Sequence, residues 1–339
     1  MSDTPAESFR ARTEGTELEL AYAGIKTFLK SGTADVSSLP PADAAVLGVP
    51  YDGAVSNRPG ARYGPHAIRE ASAWLAYLSG YKGGLTNMRT GRQVDHSDLS
   101  LVDCGDVPVF PMSHETTEES IRAHVATAAE QGVMPVLLGG DHSCTYSAVR
   151  GFCEGSGHDT VGLVQIDAHT DTVRESPILG DSFHGTPTHR LTADGYTKYE
   201  HVSQVGIRGY ESPDYFEFAD TTGLNLYTMH DIAEEGIDAA LREAISRATD
   251  GTDAVYVTFD IDSVDPSVAP GTGTPEPAGL SADQALTVME TLGSCDDVGA
   301  VDLMEVAPTY DPTENTSRLA AYLLVALLER RFGESNGDT

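Results

Sequence analysis

The chain has 339 residues, of which 40% are hydrophobic, and its 21 Lys and Arg against 52 Asp and Glu give a formal net charge of −31. A surface this acidic does not suit phosphate backbones, so no nucleic-acid partner is expected. No apolar stretch reaches the roughly 18 residues that a membrane helix needs, so no membrane association is expected. We interpret the charge, which is spread along the whole chain, as adaptation to a high-salt cytoplasm, where salt screens self-repulsion. The alternative is an ordinary, very soluble acidic protein.

The N-terminus carries neither the basic nor the apolar region of a secretory signal peptide. The cysteines show no CxxC pair and no spacing typical of a zinc site or a disulfide framework; they are Cys104, Cys144, Cys153 and Cys295. We therefore expect reduced thiols and a cytoplasmic location.

After an N-terminal arm, residues 1–40, which we expect to be loosely packed, short runs of Val, Ile and Leu alternate with helical patterns. This alternation favours a parallel sheet covered by helices on both faces. The predicted strands are 44–49, 99–102, 134–138, 161–166, 202–207, 254–259 and 298–304. The predicted helices are 115–131 with Ser113 as N-cap, 237–248, 281–292 with Ser281 as N-cap, and 317–332. Because no linker or repeat interrupts the pattern, residues 41–334 are predicted to form one α/β domain.

Three polar clusters directly follow predicted strands. The first is GGDHS at 139–143, the second is DAHTD at 167–171, and the third is DID at 260–262. In open α/β sheets, ligands bind beyond the carboxyl ends of the strands, where all three clusters fall. In an extended chain alternate side chains share a face, so the side chains of each cluster can point into one pocket. The candidate ligands are His142, Asp167, His169, Asp171, Asp260 and Asp262.

These two imidazoles and four carboxylates predict a site for two divalent ions. Four crowded, buried carboxylates would be very unfavourable without cations. A single Asp-x-Asp is more often a solvated turn, but three such clusters after apolar strands are not expected by chance. Oxygen-rich ligation with two histidines favours Mn²⁺, with Fe²⁺, Co²⁺ or Ni²⁺ as substitutes. The twelve residues from Asp260 to Gly271 lack the glycine and the glutamate that a calcium-binding loop has at its sixth and twelfth positions. A structural zinc site would use cysteines.

At these motifs the sequence resembles the ureohydrolase family, which includes agmatinase, arginase and guanidinobutyrase. The resemblance covers roughly residues 40 to 332. Further matching stretches are NRPGARYGP at 57–65, FDIDSVDP at 259–266 and PGTGTP at 270–275, the last of agmatinase type. The resemblance implies a three-layer αβα arginase-type fold with a mainly parallel eight-stranded sheet. It also implies two Mn²⁺ per subunit, a small guanidino substrate, and a homotrimer or homohexamer.

The resemblance further implies a role for each site residue. One ion would be held by His142, Asp167, Asp171 and Asp260, and the other by Asp167, His169, Asp260 and Asp262. His184, in FHGTP at 183–187, matches the family's proton-shuttling histidine, and Glu305 matches the acid that receives the guanidinium. Asp171 and His184 would carry the proton that the leaving amine needs.

The predicted reaction is hydrolysis of agmatine to putrescine and urea. Residues 172–183 differ from the arginase segment that recognises the α-amino acid end, which disfavours arginine, and they also differ from common agmatinases. Arg174 lies in this stretch and could pair with a substrate carboxylate, so guanidinobutyrase activity is an alternative, as is hydrolysis of guanidine itself.

Two alternatives belong to other classes of protein. A dinuclear metallophosphoesterase would also carry GNH[DE] and GHxH stretches, which this sequence lacks. A non-catalytic metal-binding protein would not need His184 and Glu305.

Overall fold

The computed structural model describes residues 20–333, apart from the side chain of Ser97. Its main sheet has nine strands, every neighbouring pair of which is parallel. In chain order they are β1 (Gly32–Thr33), β2 (Ala44–Gly48), β5 (Leu101–Asp106), β6 (Met134–Leu138), β7 (Val161–Ile166), β8 (Val202–Ile207), β9 (Asn225–Thr228), β10 (Ala254–Asp260) and β11 (Val298–Met304). A separate antiparallel hairpin joins β3 (Leu85–Thr86) to β4 (Gln93–Val94). The main sheet is ordered β1-β5-β2-β6-β11-β10-β7-β8-β9.

Helices cover both faces of the sheet. They are α1 (Gly64–Lys82), α2 (His114–Glu130), α3 (Cys144–Ser156), α4 (Pro187–Ala193), α5 (Tyr215–Thr222), α6 (Met229–Glu235), α7 (Ile237–Thr249), α8 (Ala282–Gly293) and α9 (Asn315–Phe332). One buried cluster joins the sheet to α1, α7, α8 and α9, and another joins its opposite face to α2, α3 and α4. The predicted three-layer αβα fold is therefore confirmed. Within residues 20–333, no helix is long and apolar enough to cross a membrane.

The sheet has nine strands rather than the eight implied by the resemblance, and the residue patterns had indicated only seven. Both edge strands were missed because they are short and carry no buried apolar run: β1 is exposed and β9 is half-buried. The strand predicted at 99–102 lies later, at Leu101–Asp106. Its end looked too polar for a strand, but Asp103 is buried there and is paired with Arg69.

The helix predictions were accurate where capping signals were clear. The Ser113 side chain accepts the Thr116 N–H at the start of α2, and Ser281 forms a capping box with Gln284 at the start of α8. The residue patterns missed α1, although the stretch at 57–65 that matches the resembled family ends in its first turn. The residue patterns also missed α3, α4, α5 and α6.

The predicted N-terminal arm lies outside the described residues up to position 19. Its later part is not loosely packed: Phe28 is fully buried, and its backbone N–H donates to Asp103 Oδ2 at 2.8 Å. Gly32 and Thr33 pair with β5 in the main sheet. The boundary between arm and domain at residue 41 stays a prediction.

The strand order brings the three polar clusters together. The central neighbours β6, β11, β10 and β7 run in the same direction and end nearly level, with Leu303 beside Leu138 and Phe259 beside Ile166. GGDHS, Glu305, DID and DAHTD therefore emerge side by side at one edge of the sheet.

Candidate active site

The centre of the site is the His142 ring, which is 1% exposed. Its Nδ1 lies 2.9 Å from Asp171 Oδ2, 3.1 Å from Asp167 Oδ2 and 3.2 Å from Asp260 Oδ2. Nevertheless this nitrogen has no hydrogen-bond partner of acceptable geometry. One imidazole nitrogen thus faces three carboxylate oxygens around a common point.

A second group adjoins the first and shares Asp167 with it. His169 Nδ1 lies 3.1 Å from Asp262 Oδ2 and 3.7 Å from Asp167 Oδ1. The His169 side chain is 35% exposed, whereas both carboxylates are buried. Asp167 therefore directs one oxygen toward each group, as a bridging carboxylate does.

Side chains behind the two groups fix their orientation. His142 Nε2 lies 2.7 Å from Thr258 Oγ1, and Gln165 Nε2 donates to Asp167 Oδ2 at 2.8 Å. Thr258 precedes Asp260 by two residues on β10, and Gln165 precedes Asp167 by two on β7, so each points to the same face as its acid. An oxygen that accepts the N–H of one ring nitrogen leaves the lone pair on the other, which is a common means of fixing the tautomer of a metal-binding histidine.

Backbone geometry at the site is unusual at two positions. Asp171 has φ +49° and Glu305 has φ +62°, the left-handed region that side chains other than glycine and asparagine rarely occupy. Each costs on the order of 1–3 kcal/mol and is typical of functional sites. Close packing also requires Gly140, because a Cβ there would collide with the Tyr51 carbonyl oxygen.

The carboxylates of the site destabilise one another's charge. Burial and the charge of Asp167 raise the pKa of Asp171 to about 6. Burial and the charges of neighbouring aspartates raise the pKa of Asp260 well above its ordinary value. Burial alone would also raise the pKa of Asp167, but the nearby imidazoles of His142 and His169 outweigh it and lower that pKa. Cationic partners are what keep this cluster ionised.

The two imidazoles are correspondingly driven toward their charged form. Burial alone would lower the pKa of His142, but the three carboxylates around it raise that pKa well above 6.5. Burial is likewise outweighed at His169, where the nearby carboxylates of Asp262 and Asp167 raise the pKa to about 12. In the absence of another cation, protons on these rings balance part of the cluster's negative charge.

Next to the cluster, His184 and Glu305 form a buried pair. His184 Nδ1 lies 2.9 Å from Glu305 Oε1, and the same oxygen accepts the His142 backbone N–H at 3.0 Å. The other oxygen, Oε2, is buried and has no hydrogen-bond partner. An anionic oxygen in this state lacks a donor that a cationic ligand could supply.

Glu305 and Ser56 have opposite effects on the protonation of the His184 ring. Burial alone would lower the pKa of His184, but the hydrogen bond to Glu305 and that carboxylate's charge raise it to about 9. The Ser56 backbone N–H donates to Nε2 at 3.0 Å, which requires a lone pair on that nitrogen and so favours the neutral ring. The Ser56 hydroxyl lies 2.6 Å from the same atom. His184 is thus held where its ring can gain or lose a proton at Nε2.

A cavity of about 180 Å³ opens onto the site. Its volume is below the roughly 300–1,000 Å³ of pockets for drug-sized ligands, so it suits a small molecule. No Lys or Arg of the described chain lines it. The lining residues with acidic or imidazole side chains are Asp171, Asp260, Glu211, His169 and His184.

Glu211 is the one lining carboxylate that lies outside the cluster. Its Oε2 accepts the Thr170 hydroxyl at 2.7 Å, and its Oε1 accepts the Ser212 backbone N–H at 2.8 Å. These contacts hold the carboxylate at the wall of the cavity.

The structure brings together all eight site residues named from the sequence, but it does not bring Arg174 with them. Arg174 is exposed and lines a neighbouring cavity together with Glu175 and Asp181. Sequence reasoning missed Thr258 and Gln165, although their position two residues before an acid was a usable signal. It also missed Ser56 and Glu211, which distant loops bring to the site and which no local pattern marks.

The donor set fits divalent cations. Two groups each bring three ligand atoms within 4.8 Å of one another and could hold an ion: His142 with Asp167 and Asp171, and Asp167 with His169 and Asp262. Buried carboxylate oxygens converging on an unpartnered imidazole nitrogen are what such an ion requires.

Comparison with known proteins agrees with this geometry. A family model described as "Arginase family" matches residues 42–329. The agmatinase of Chromobacterium violaceum is 38% identical over 316 residues, 93% of this chain and 91% of the relative. The human mitochondrial guanidino acid hydrolase is 37% identical over 288 residues, 84% of this chain and 77% of the relative. A crystal structure described as a hypothetical agmatinase from Burkholderia thailandensis has a TM-score of 0.79, with 34% identity and 91% of each chain covered.

Proposed function

This chain belongs to the arginase family, and on that premise we propose that it hydrolyses agmatine to putrescine and urea. Members of this family are hydrolases that act on the C–N bonds of guanidino compounds and use a dinuclear metal site. The observation that carries the proposal is the buried, unpartnered Oε2 of Glu305. The other oxygen of this carboxylate contacts His184, which lines a small cavity without Lys or Arg next to the His/Asp cluster.

The cluster would hold two divalent ions, Mn²⁺ in our proposal. His142, Asp167, Asp171 and Asp260 would hold one, and Asp167, His169, Asp260 and Asp262 would hold the other. The chemistry that two such ions supply when bound is activation of water as a nucleophile near neutral pH. A guanidinium carbon needs this because its positive charge is delocalised over three nitrogens and makes it a poor electrophile.

Glu305 binds the guanidinium. Its Oε1 is already engaged by His142 and His184, so Oε2 is the oxygen that accepts N–H groups from the substrate. A charge-assisted pair of this kind fixes the plane of the guanidinium, and orientation of the reacting carbon is a large part of the catalytic effect.

Protons move through Asp171 and His184. Both line the cavity beside the cluster, within reach of a bound substrate and of the leaving amine. His184 exchanges its proton at Nε2, next to the Ser56 hydroxyl, while Glu305 holds Nδ1. The amine of the product can therefore leave in protonated form.

The lining of the cavity favours a cationic tail. Agmatine carries an ammonium group at the end opposite its guanidinium, and Glu211 offers a fixed carboxylate on the cavity wall. A carboxylate tail, as in 4-guanidinobutyrate, would meet Glu211 without a Lys or Arg among the lining residues. Arg174, the residue that kept guanidinobutyrase activity open, lies in the neighbouring cavity.

4-Guanidinobutyrate nevertheless stays the second candidate substrate. The observation in its favour is the 37% identity to the human guanidino acid hydrolase, a value very close to the 38% identity to an agmatinase. Overall sequence similarity therefore does not decide between a substrate with the ammonium tail of agmatine and one with the carboxylate tail of 4-guanidinobutyrate.

We further propose the setting in which the enzyme works. The net charge of −31 supports a high-salt cytoplasm, and the four cysteines, all free, support a reducing one. Assembly as a homotrimer or homohexamer, and a role in forming the polyamine putrescine, belong to the same proposal.

A urea-release assay on Mn²⁺-loaded protein in molar KCl tests the proposed substrate. The panel is agmatine, 4-guanidinobutyrate, 3-guanidinopropionate, arginine and guanidine. We expect the highest kcat/KM for agmatine. A higher kcat/KM for either guanidino acid would make that acid the substrate and leave the proposed reaction, release of urea, unchanged. Urea from none of the five compounds would overturn the reaction itself.

A further inference from the structure

Asp302 is a buried carboxylate that the proposed reaction does not use. It lies on β11 and is fully buried. Its Oδ2 accepts the Thr145 hydroxyl at 2.8 Å and the Tyr256 hydroxyl at 2.9 Å, whereas its Oδ1 is buried without a hydrogen-bond partner. A carboxylate in this state costs folding free energy, so packing alone does not account for it.

Two hydroxyl groups connect Asp302 to the central ring of the His/Asp cluster. Thr145 Oγ1, which donates to Asp302, lies 3.4 Å from Thr258 Oγ1, and Thr258 Oγ1 lies 2.7 Å from His142 Nε2. Thr258 is also the register partner of Asp302 on the neighbouring strand, so the two side chains stand next to each other on one face of the sheet. We call the hydroxyls of Thr145 and Thr258 the hydroxyl pair.

The hydrogen bonds of the hydroxyl pair run in one direction. Because Asp302 Oδ2 is an acceptor, the Thr145 hydroxyl spends its only proton on it and can then only accept from Thr258. The Thr258 hydroxyl has in turn donated its only proton, so it can only accept from His142. The proton of the His142 ring therefore lies on Nε2, and the lone pair is left on Nδ1, the nitrogen that faces the three carboxylates.

We propose that Asp302 is a positioning residue for His142, because it orients the hydroxyl pair so that the ring presents an unprotonated Nδ1 to the cluster. The inference rests on the proposed metal site, in which His142 would bind an ion through Nδ1, and it does not depend on the substrate. Without Asp302 the hydroxyl pair can turn, and Thr258 can donate to Nε2. The ring proton then lies on Nδ1, where it blocks that nitrogen as a ligand.

The effect of Asp302 is confined to one of the two ions. His142 is 1% exposed, so neighbouring protein groups decide which of its nitrogens carries the proton. The His169 side chain is 35% exposed, so water can hydrogen-bond to its ring instead. Removal of Asp302 should therefore weaken the ion that His142 would hold and spare the other.

Calorimetric titration with Mn²⁺ tests the proposal on wild-type protein, Asp302→Leu and Tyr256→Phe. Leucine has nearly the shape of aspartate but no acceptor. We expect Asp302→Leu to weaken one of the two Mn²⁺ affinities about 10- to 100-fold and to leave the other within about threefold. Tyr256→Phe is the matched control, because it removes the other hydroxyl that donates to Oδ2, one that does not belong to the hydroxyl pair. It should bind both ions as the wild type does.

A double-mutant cycle separates positioning from a general structural effect. Thr258→Val interrupts the hydroxyl pair next to His142 and should weaken the same ion. The variant that carries both Asp302→Leu and Thr258→Val should bind no more weakly than Thr258→Val alone, because Asp302 acts through Thr258. Circular dichroism checks folding, and Asp302→Val, a smaller residue suited to a strand, serves where Asp302→Leu fails to fold.

The possible outcomes distinguish this inference from the proposed metal site. Losses that add in the double variant, equal weakening of both ions, or wild-type affinities in a folded variant without Asp302 would overturn the positioning role and leave the metal site in place. A wild-type protein that does not bind two ions would overturn the metal site and the positioning role together.

Discussion

His184 Nδ1 lies 2.9 Å from Glu305 Oε1, and this one carboxylate oxygen also accepts the backbone N–H of His142. Glu305 thereby joins the histidine beside the cavity to the loop that carries the central ring of the His/Asp cluster. Its second oxygen, Oε2, stays buried without a partner.

Loading the metal-free protein with Mn²⁺ should release at least two protons per chain at pH 7, because His142 and His169 must lose theirs to become ligands. Asp260, whose pKa is also raised in the metal-free cluster, adds to the release. Both rings have a raised pKa in the metal-free cluster, so affinity for the ion should increase as the pH rises from 6 to 8. Titration calorimetry in buffers of different ionisation enthalpy measures the release. His169→Asn should release about one proton fewer, and loading without any proton release would contradict the assignment.

Glu211→Gln should raise KM for agmatine about three- to tenfold, because the carboxylate that meets the ammonium is lost at a partly exposed position. Turnover of guanidine, which has no tail, should change little. Steady-state kinetics on both substrates separates the effects. Glu175→Gln removes a charge from the neighbouring cavity and should leave the KM for agmatine as it was. An equal loss on both substrates would show that Glu211 does not act on the tail.

Salt should stabilise the protein strongly. The Debye length falls from about 10 Å at 0.1 M to about 3 Å at 1 M, so repulsion among the excess acidic residues declines over this range. Thermal unfolding followed by circular dichroism should therefore give a higher Tm in 2 M KCl than in 0.1 M KCl. NaCl should act alike, because screening depends on ionic strength. A Tm that does not change with salt would argue against adaptation to a high-salt cytoplasm.

Phe28→Ala should lower the free energy of unfolding by about 3–5 kcal/mol, the usual cost of removing a fully buried ring. Phe28 belongs to the predicted N-terminal arm but is 0% exposed. Tyr22→Ala, at a side chain that is 78% exposed, should change stability by no more than about 0.5 kcal/mol. Denaturant unfolding measures both, and equal effects would mean that this part of the arm does not contribute to the core.

The interior of the fold could be predicted from the sequence, whereas its edges could not. β7 and β10 are buried on both faces and therefore appear as unbroken apolar runs. β1 and β9 have half-exposed or exposed side chains and no such run. α1 was missed because exposed Trp74 and Tyr81 put large apolar side chains on its outward side, which obscures the helical period.

The same contrast holds at the site. Asp167 and Asp260 were identified because each directly follows a buried strand, so a local pattern marks them. Glu211 accepts a hydrogen bond from Thr170, which is 41 residues away along the chain, and Ser56 donates one to His184, which is 128 residues away. Only the tertiary fold brings such pairs together, and no local periodicity predicts them. The partner of the substrate's tail belongs to this second class, which is why the sequence left the substrate open.

The most direct test compares wild-type protein with Glu305→Gln, both loaded with Mn²⁺, for production of urea and putrescine from agmatine. The wild-type enzyme should form the two products in equal amounts. Glu305→Gln should still bind two ions per chain but lose turnover by on the order of 10²–10³, because it keeps the shape and removes the charge that holds the guanidinium. Full turnover by Glu305→Gln, or no urea from the metal-loaded wild type, would contradict the account.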